Sequence, residues 1–311
     1  LSNIASLREL HLAPQSQLKG AGLGFLNGMS GLRLLNISQN WMTDLNGIQF
    51  VPGLEVLDIS YNHFMSINEA ESAPLLSTLT NLKEFYSASF GGQSLAFIQN
   101  MPELEILVLT RKWQIDAAEM TYIGSLSNLR ELWLRDITVY MDISPLQGLS
   151  NLRKLWIASS DIDGATFVLP ETLESLKEIH LLDAFNSQYS YGERRGDFKA
   201  SYSVFQDLPS LTTLNMIHPW LADPVGVTLN PNIDSLMMSG ALLENIDFLT
   251  DVAGIRHIDL SDNPFTELDP LVTMPDLAEL TLYDSRILCA EIDEFRAAAP
   301  SVVITSDLNC S

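Results

Sequence analysis

One pattern recurs along the whole chain and limits what it can fold into. The clearest copies of L-x-x-L-x-L-x-x-N-x-L are LRLLNISQNWM from Leu32, LEVLDISYNHF from Leu54 and IRHIDLSDNPF from Ile255. From residue 211 onward the copies begin at a constant step of 22 residues. A unit this short cannot bury its own leucines, so neighbouring copies must stack on one another. Looser copies begin at Leu7, Leu82, Leu104, Leu129, Leu152, Leu176, Leu211, Ile233, Leu277 and Ala299.

The pattern predicts a conformation for each part of the repeat. The x-L-x-L-x segment alternates as a short strand does, which turns positions four and six inward and positions three, five and seven outward. The asparagine at position nine, as in Asn40, Asn62 and Asn263, can bond the backbone of neighbouring repeats. Apolar residues three apart follow it, as in residues 268–277, and this spacing suits a 3₁₀ or irregular helical return.

With thirteen copies in register, the chain resembles the leucine-rich repeat family, and its 22-residue step is most similar to that of the bacterial internalin-type subclass. The resemblance implies an α/β fold: a right-handed solenoid with a parallel concave sheet of about 13 strands and a 3₁₀ or irregular helical convex side. We expect a single domain over residues 1–311, with a C-terminal cap at residues 289–311. The family mostly supplies binding surfaces for unrelated ligands, so the resemblance implies binding rather than catalysis.

Charge and hydropathy argue against two classes of partner. The formal net charge is −22, and residues 222–311 hold 16 acidic residues against three basic ones. A chain this acidic repels phosphate backbones, so we expect no nucleic-acid partner. No apolar run approaches the roughly 18 residues that span a membrane. The N-terminal LSNIASLREL already reads as part of a repeat and lacks the features of a signal peptide.

Motifs for catalysis or metal binding are missing from the sequence. GAGLG at residues 20–24 does not continue to the Lys-Ser/Thr ending of a phosphate-binding loop. There is no metal-binding cysteine spacing, and His257 with Asp259 and Glu279 forms a candidate polar cluster without a nucleophile. Acidic turns such as LSDN do not repeat at calcium-ligand spacing. We therefore expect a protein that is not an enzyme and uses no cofactor or metal.

The candidate ligand-binding surface lies in the middle of the repeat array. Trp133 and Trp156 occupy position five of successive repeats, so we expect their indoles side by side on the concave face. Aromatic residues of nearby repeats and basic residues at positions three and seven surround them, with Glu131 and Glu178 alongside. The candidate ligand-binding residues are Tyr86, Trp113, Trp133, Arg135, Lys154, Trp156 and His180.

This surface has more than one interpretation. Clustered Trp, Tyr and Arg are typical of interaction hot spots, which favours a macromolecular partner, first of all a protein, on the concave face. Adjacent tryptophans also stack on sugar rings, so a glycan-binding surface protein is the alternative. A third hypothesis is a structural spacer of a larger surface protein. Stacked aromatic side chains can also simply stabilise neighbouring strands, which would leave the surface without a ligand.

Three stretches are too long for a regular repeat. NEAESAPLLSTL and IDAAEMTYIGSL lengthen the convex side, and the third stretch spans residues 183–208. This last insertion carries tyrosines, phenylalanines and arginines. It either contacts a partner or folds back over its own base.

The two cysteines lie at the C-terminal end. Cys289 and Cys310 fall at nearly equivalent positions of neighbouring repeats, within disulfide range. A disulfide is favoured over two free buried thiols, and it predicts a location outside the cytosol: secreted, periplasmic or on the cell surface. AEIDEFRAAA is expected to form a short helix of this cap, and SVVITSD its last strand.

Overall fold

The computed structural model describes residues 4–12, 14, 22–62, 69–88, 94–111, 115–137, 142–158, 169, 172–182, 205, 207–217, 229–308 and 310. The chain forms two compact units, Leu1–Leu152 and Arg153–Ser311. Trp113 and most of the 183–208 insertion lie outside the described residues, so the predictions for them are not addressed. The organisation as a single domain stays a prediction.

The first unit contains a parallel sheet whose strands follow one another in chain order. Residues at position four pair across it, for example Leu35 with Leu57 and Leu107 with Leu132, and all four are fully buried. The predicted inward direction of position four is therefore confirmed. The strands are β1 (Glu9–His11), β2 (Leu34–Asn36), β3 (Val56–Asp58), β4 (Glu84–Ala88), β5 (Ile106–Thr110) and β6 (Glu131–Arg135).

The second unit repeats this arrangement with seven strands. Leu155 pairs with Ile179 and Leu236 with Ile258, again as buried position-four residues in register. The six strands of the first unit and these seven match the predicted number. The strands are β7 (Lys154–Ala158), β8 (Glu178–Leu182), β9 (Thr213–Ile217), β10 (Ser235–Met237), β11 (His257–Asp259), β12 (Glu279–Leu282) and β13 (Val303–Ser306).

The register of the last strand corrects one predicted repeat. Leu280 at position four of its repeat pairs with Ile304, so the final copy begins at Ser301 and not at Ala299. The sequence could not distinguish the two starts, because a shift of two residues keeps every side chain on the same face of a strand. The return that contains the last helix is therefore two residues longer than the 22-residue step predicts.

Where the returns between strands are described, helical segments form many of them, as the spacing of apolar residues predicts. Two of the lengthened stretches form α-helices, α1 (Glu69–Leu76) and α2 (Ala117–Gly124). Asp116 and Glu119 close the first turn of α2 through a reciprocal capping box. The second unit adds α3 (Asp269–Val272) and α4 (Cys289–Ala298). Regular 3₁₀ returns are Gly24–Leu26, Ile48–Phe50, Ala96–Asn100, Ser144–Gly148 and Asp247–Leu249.

The position-nine asparagines bond neighbouring repeats, as predicted. The Oδ1 of Asn62 accepts hydrogen bonds from the backbone N–H groups of Asn40 (3.0 Å) and Met42 (3.1 Å) in the preceding repeat. Its Nδ2 donates to the carbonyl oxygens of Ile37 (2.8 Å) and Ile59 (3.0 Å). Asn62 is buried, so it satisfies backbone groups that water cannot reach.

Position eight is a structural feature that the sequence pattern left unassigned. In seven of the described repeats its backbone is left-handed, and in several of these its N–H donates to the position-seven carbonyl of the next repeat, as from Arg111 to Arg135 at 2.8 Å. Glycine suits this conformation best, and Gly240 provides it in one repeat. Non-glycine residues with a left-handed backbone at position eight are Gln39, Tyr61, Arg111, Asp136, Asp262 and Asp284.

The C-terminal cap contains the predicted disulfide. Cys289, the first residue of α4, is bonded to Cys310, and their Cα atoms lie 5.2 Å apart. The predicted helix and last strand of the cap are also present, as α4 and β13. The bond ties the end of the chain to the helix that precedes the final strand.

Candidate functional site

The outer face of the second unit's sheet, which carries positions three, five and seven, brings several predicted site residues together. At position five of β7, β8 and β9, Trp156, His180 and Asn215 lie in register. The rings of Trp156 and His180 are stacked, with centroids 4.3 Å apart and planes inclined by 18°. We call Lys154, Trp156, Glu178, His180 and Asn215 the Trp156 cluster.

An ion pair borders the stacked rings. The Nζ of Lys154 lies 2.7 Å from the Oε2 of Glu178 on the next strand, and 5.9 Å from the centroid of the Trp156 ring. The hydrogen bond from Lys154 lowers the pKa of Glu178, against the opposing effect of partial burial. Glu178 is therefore ionised at neutral pH. The indole thus lies beside one fixed cation and one fixed anion.

His180 packs against Trp156 from the adjacent strand. It is itself hardly accessible, with 8% of its surface exposed. Burial is the main cause that lowers its pKa, and the charge of Lys154 acts in the same direction, while Glu178 opposes them. Its Nε2 lies 3.4 Å from Glu178 Oε2, and its Nδ1 lies 3.4 Å from Asn215 Nδ2. A neutral imidazole protonated at Nε2 satisfies both contacts, because it donates to the carboxylate and accepts from the amide.

The outer face of the first unit carries a second group, which we call the aromatic row: Tyr86, Val108 and Trp133, in register at position five of β4, β5 and β6. The Oη of Tyr86 donates to Glu84 Oε2 (2.8 Å). The pKa of Tyr86 is raised, mainly by burial and also by this hydrogen bond. The Nε1 of Trp133 donates to Glu131 Oε2 (3.1 Å). Each polar ring atom is therefore held by a carboxylate two residues earlier on its own strand.

The structure brings the predicted site residues together within each unit only. Tyr86 and Trp133 share a face with Val108 between them, and Arg135 lies exposed at the end of β6. Lys154, Trp156 and His180 converge in the second unit. Trp133 and Trp156 belong to different units, so their placement side by side stays a prediction.

The predicted set of ligand-binding residues omitted two members of this cluster: Asn215, and Glu178, which the sequence analysis placed alongside the tryptophans. Both could have been found from the strand register, which sets Glu178 beside Lys154 and Asn215 beside His180. Glu178 matters most, because it accepts hydrogen bonds from both Lys154 and His180. The Oδ1 of Asn215 is buried and has no hydrogen-bond partner in the described part of the chain.

The candidate polar cluster around His257 is only partly formed. Its Nδ1 lies 3.1 Å from Glu279 Oε2, and its Nε2 lies 4.0 Å from Asp234 Oδ2. Asp259 instead accepts hydrogen bonds from Ser261. Among the residues that the structure describes, no group of His, Cys, Asp and Glu could hold a metal ion. None of the helices described here is both long and apolar enough to span a bilayer.

Comparisons with known proteins find one matching family model and several solved structures of similar fold. A family model described as "Leucine rich repeat" matches residues 5–64. No curated protein is similar to the chain in sequence. Among solved structures, an internalin (InlF) from Listeria monocytogenes superposes with a TM-score of 0.56 and 19% identity, over 91% of this chain and 69% of that chain.

Two further similar structures are complexes with macromolecules. TLR13 bound to the RNA ssRNA13 gives a TM-score of 0.63 at 17% identity, over all of this chain and 52% of that chain. An octameric complex of Latrophilin 3, Unc5D and the leucine-rich repeat region of FLRT2 gives 0.54 at 14% identity, over 98% and 88% respectively. At these identities the likeness is one of fold.

Proposed function

Because the chain is a leucine-rich repeat protein, with a fold that commonly serves protein–protein interaction, we propose that it is a non-enzymatic binding module for a protein partner. The partner docks on the outer face of the sheet, which the resemblance makes the concave one. Trp156 is its main anchor, flanked by Lys154 and Glu178. In the first unit, Tyr86 and Trp133 provide further contacts, with Arg135 at the end of β6 and Trp113 proposed from its sequence position.

The observation that carries this proposal is the stacking of Trp156 on His180. The buried imidazole and the Lys154–Glu178 ion pair hold the half-buried indole in one place before any partner arrives. A side chain that is already fixed loses little conformational entropy on binding. A rigid tryptophan bordered by charged side chains is typical of an interface hot spot.

Charge favours a protein over a nucleic acid. One similar structure is a complex with RNA and another is a complex with proteins, so the fold does not decide between them. This chain has a formal net charge of −22, and Lys154 in the Trp156 cluster is already paired with Glu178. A phosphate backbone would therefore meet little uncompensated positive charge at the anchor.

The disulfide favours an extracytoplasmic location. Structural disulfides persist in oxidising compartments and are rare in the cytosol. The bond between Cys289 and Cys310 and the likeness to an internalin both support a secreted, periplasmic or cell-surface protein.

Glycan binding is the second candidate, and one observation favours it. Trp156 lies beside an ammonium group and a carboxylate, a combination in which the ring can stack on a sugar while the charged groups bond its hydroxyls. The same surface thus serves either ligand class, and the third possibility is a spacer without a ligand at this face.

The experiment compares binding profiles of the wild-type chain and three variants on arrays of purified extracellular proteins and of glycans. Trp156→Ala removes the anchor, Trp156→Phe keeps an aromatic ring, and Tyr283→Ala removes an exposed aromatic residue that follows β12. We expect a protein ligand that is lost with Trp156→Ala, partly kept with Trp156→Phe and fully kept with Tyr283→Ala. A glycan lost in the same pattern supports the second candidate. Ligands unaffected by Trp156→Ala contradict both.

A further inference from the structure

Basic residues of the first unit differ in how closely their charge is neutralised. Two of them, Lys83 and Arg130 at position two, on the opposite end of the strands from position eight, pair closely with acidic neighbours. Lys83 Nζ lies 2.8 Å from Glu55 Oε2, and Arg130 Nη1 lies 2.9 Å from Glu105 Oε2. These are hydrogen-bonded ion pairs, so each cation already has an anionic partner within the repeat array.

At the other end of β5 and β6 the pairing is looser. The Nε atoms of Arg111 and Arg135 both lie 3.8 Å from the same oxygen, Oδ2 of Asp136. This distance exceeds a hydrogen bond, and one carboxylate faces two guanidinium groups. Both arginine side chains are 61% exposed. Asp136 therefore leaves one of the two accessible positive charges uncompensated, in a chain whose net charge is −22.

An aromatic ring extends this positive surface. The Cζ of Arg111 lies 5.7 Å from the ring centroid of Tyr61, which is itself 46% exposed. At this distance the ring attracts the guanidinium group. We call Tyr61, Arg111, Arg135 and Asp136 the arginine cluster.

Three residues of the cluster share the left-handed backbone of position eight. Tyr61, Arg111 and Asp136 all occupy position eight with φ between 52° and 56°. A bulky residue in this region costs on the order of 1 kcal/mol more than glycine, which another repeat has as Gly240.

We infer that the arginine cluster binds a segment of the protein partner that carries aspartate or glutamate side chains. The inference rests on the proposed function and specifies the chemistry of that partner. The planar guanidinium group matches a carboxylate with two parallel hydrogen bonds, and two arginines on adjacent strands can hold two acidic side chains of one extended segment. Asp136 reduces the repulsion between the two guanidinium groups, and at 3.8 Å it leaves their N–H donors accessible.

The test uses a fluorescein-labelled hexa-aspartate peptide, with a labelled hexa-asparagine peptide as the uncharged control. Binding is measured by fluorescence anisotropy at about 0.15 M salt, because interactions between distant charges are screened at this ionic strength. Arg111→Gln and Arg135→Gln each remove one guanidinium group from the cluster. Arg130→Gln is the matched control, because it removes the same charge from the same unit but at a residue that Glu105 already pairs. Circular dichroism melts establish that all three variants fold.

We expect the wild-type chain to bind hexa-aspartate and not hexa-asparagine. Arg111→Gln and Arg135→Gln should each weaken binding about fivefold. The loss of affinity is smaller than for a buried charged contact because both side chains are exposed. Arg130→Gln should leave binding unchanged. Failure of the wild-type chain to bind, or equal loss in all three variants, overturns the inference.

The outcome is separable from that of the proposed function. Trp156→Ala should abolish capture of the array-identified protein and leave hexa-aspartate binding intact, because the substitution removes none of the residues of the arginine cluster. If the protein ligand depends on Trp156 but the peptide does not bind, only the arginine cluster loses its role.

Discussion

Replacing Asn62 with alanine should destabilise the first unit far more than replacing an exposed asparagine of the same unit. Asn62 is buried at position nine, and its amide makes four hydrogen bonds, all to backbone groups. Two of these groups belong to Asn40 and Met42 and are N–H donors; the other two are the carbonyl oxygens of Ile37 and Ile59. Alanine would leave all four without a partner in a place that water cannot reach.

The expected loss follows from these four bonds. Each unsatisfied buried group costs about 1 kcal/mol at least, so the free energy of unfolding should fall by about 4 kcal/mol. The matched control is Asn128→Ala, since Asn128 is exposed and its Nδ2 makes a single bond of 2.9 Å to the carbonyl of Pro102. Water replaces such a bond, and the control should cost less than about 1 kcal/mol.

Urea denaturation followed by circular dichroism gives the two losses, and hydrogen exchange locates them. The backbone amides of Asn40 and Met42 should exchange faster in the Asn62→Ala chain, because they lose their acceptor, and should keep their protection in the Asn128→Ala chain. Equal destabilisation by the two substitutions, or unchanged exchange at Asn40 and Met42, would refute the view that position-nine asparagines hold adjacent repeats together.

Two further predictions concern the second unit. Burial lowers the pKa of His180 in the folded chain, so as the pH falls the unfolded chain binds a proton at a higher pH than the folded chain does. The free energy of unfolding should therefore decrease between about pH 7.5 and about pH 5.5, by at most about 1.4 kcal/mol per pH unit. His180→Gln should flatten this part of the curve in urea melts, and an unchanged slope would argue against it. Substituting Cys289 and Cys310 with serine should weaken the cap by about 3 kcal/mol, seen as faster hydrogen exchange in Val303–Ser306, whereas undiminished protection there would contradict the estimate.

The direction of each strand residue could be predicted from the sequence, because alternation fixes it. Leu107 and Leu132 at position four are buried, and Trp133 and Trp156 at position five lie on the outer face, as the pattern requires. The same alternation could not fix the start of the last repeat, since Ile304 points inward in either register. An alternating pattern therefore determines which face of the strand a side chain lies on, but it does not determine which residues of neighbouring strands pair.

Exposure at the candidate site was harder to predict than direction. His180 faces outward at position five, yet the neighbouring Trp156 ring covers it, so it supports the anchor instead of forming a free contact. How much a neighbour covers depends on side-chain size and rotamer, which the repeat pattern does not contain. The left-handed position eight had a detectable signal, because Gly240, Asp262 and Asp284 are residue types that tolerate this backbone.

Hydroxyl-radical footprinting of the complex with the array-identified protein tests the central claim most directly. The account predicts that bound partner slows the oxidation of Trp156, while Tyr283, exposed at the end of β12, remains as reactive as in the free chain. Unchanged oxidation of Trp156 in a saturated complex would show that the partner docks elsewhere.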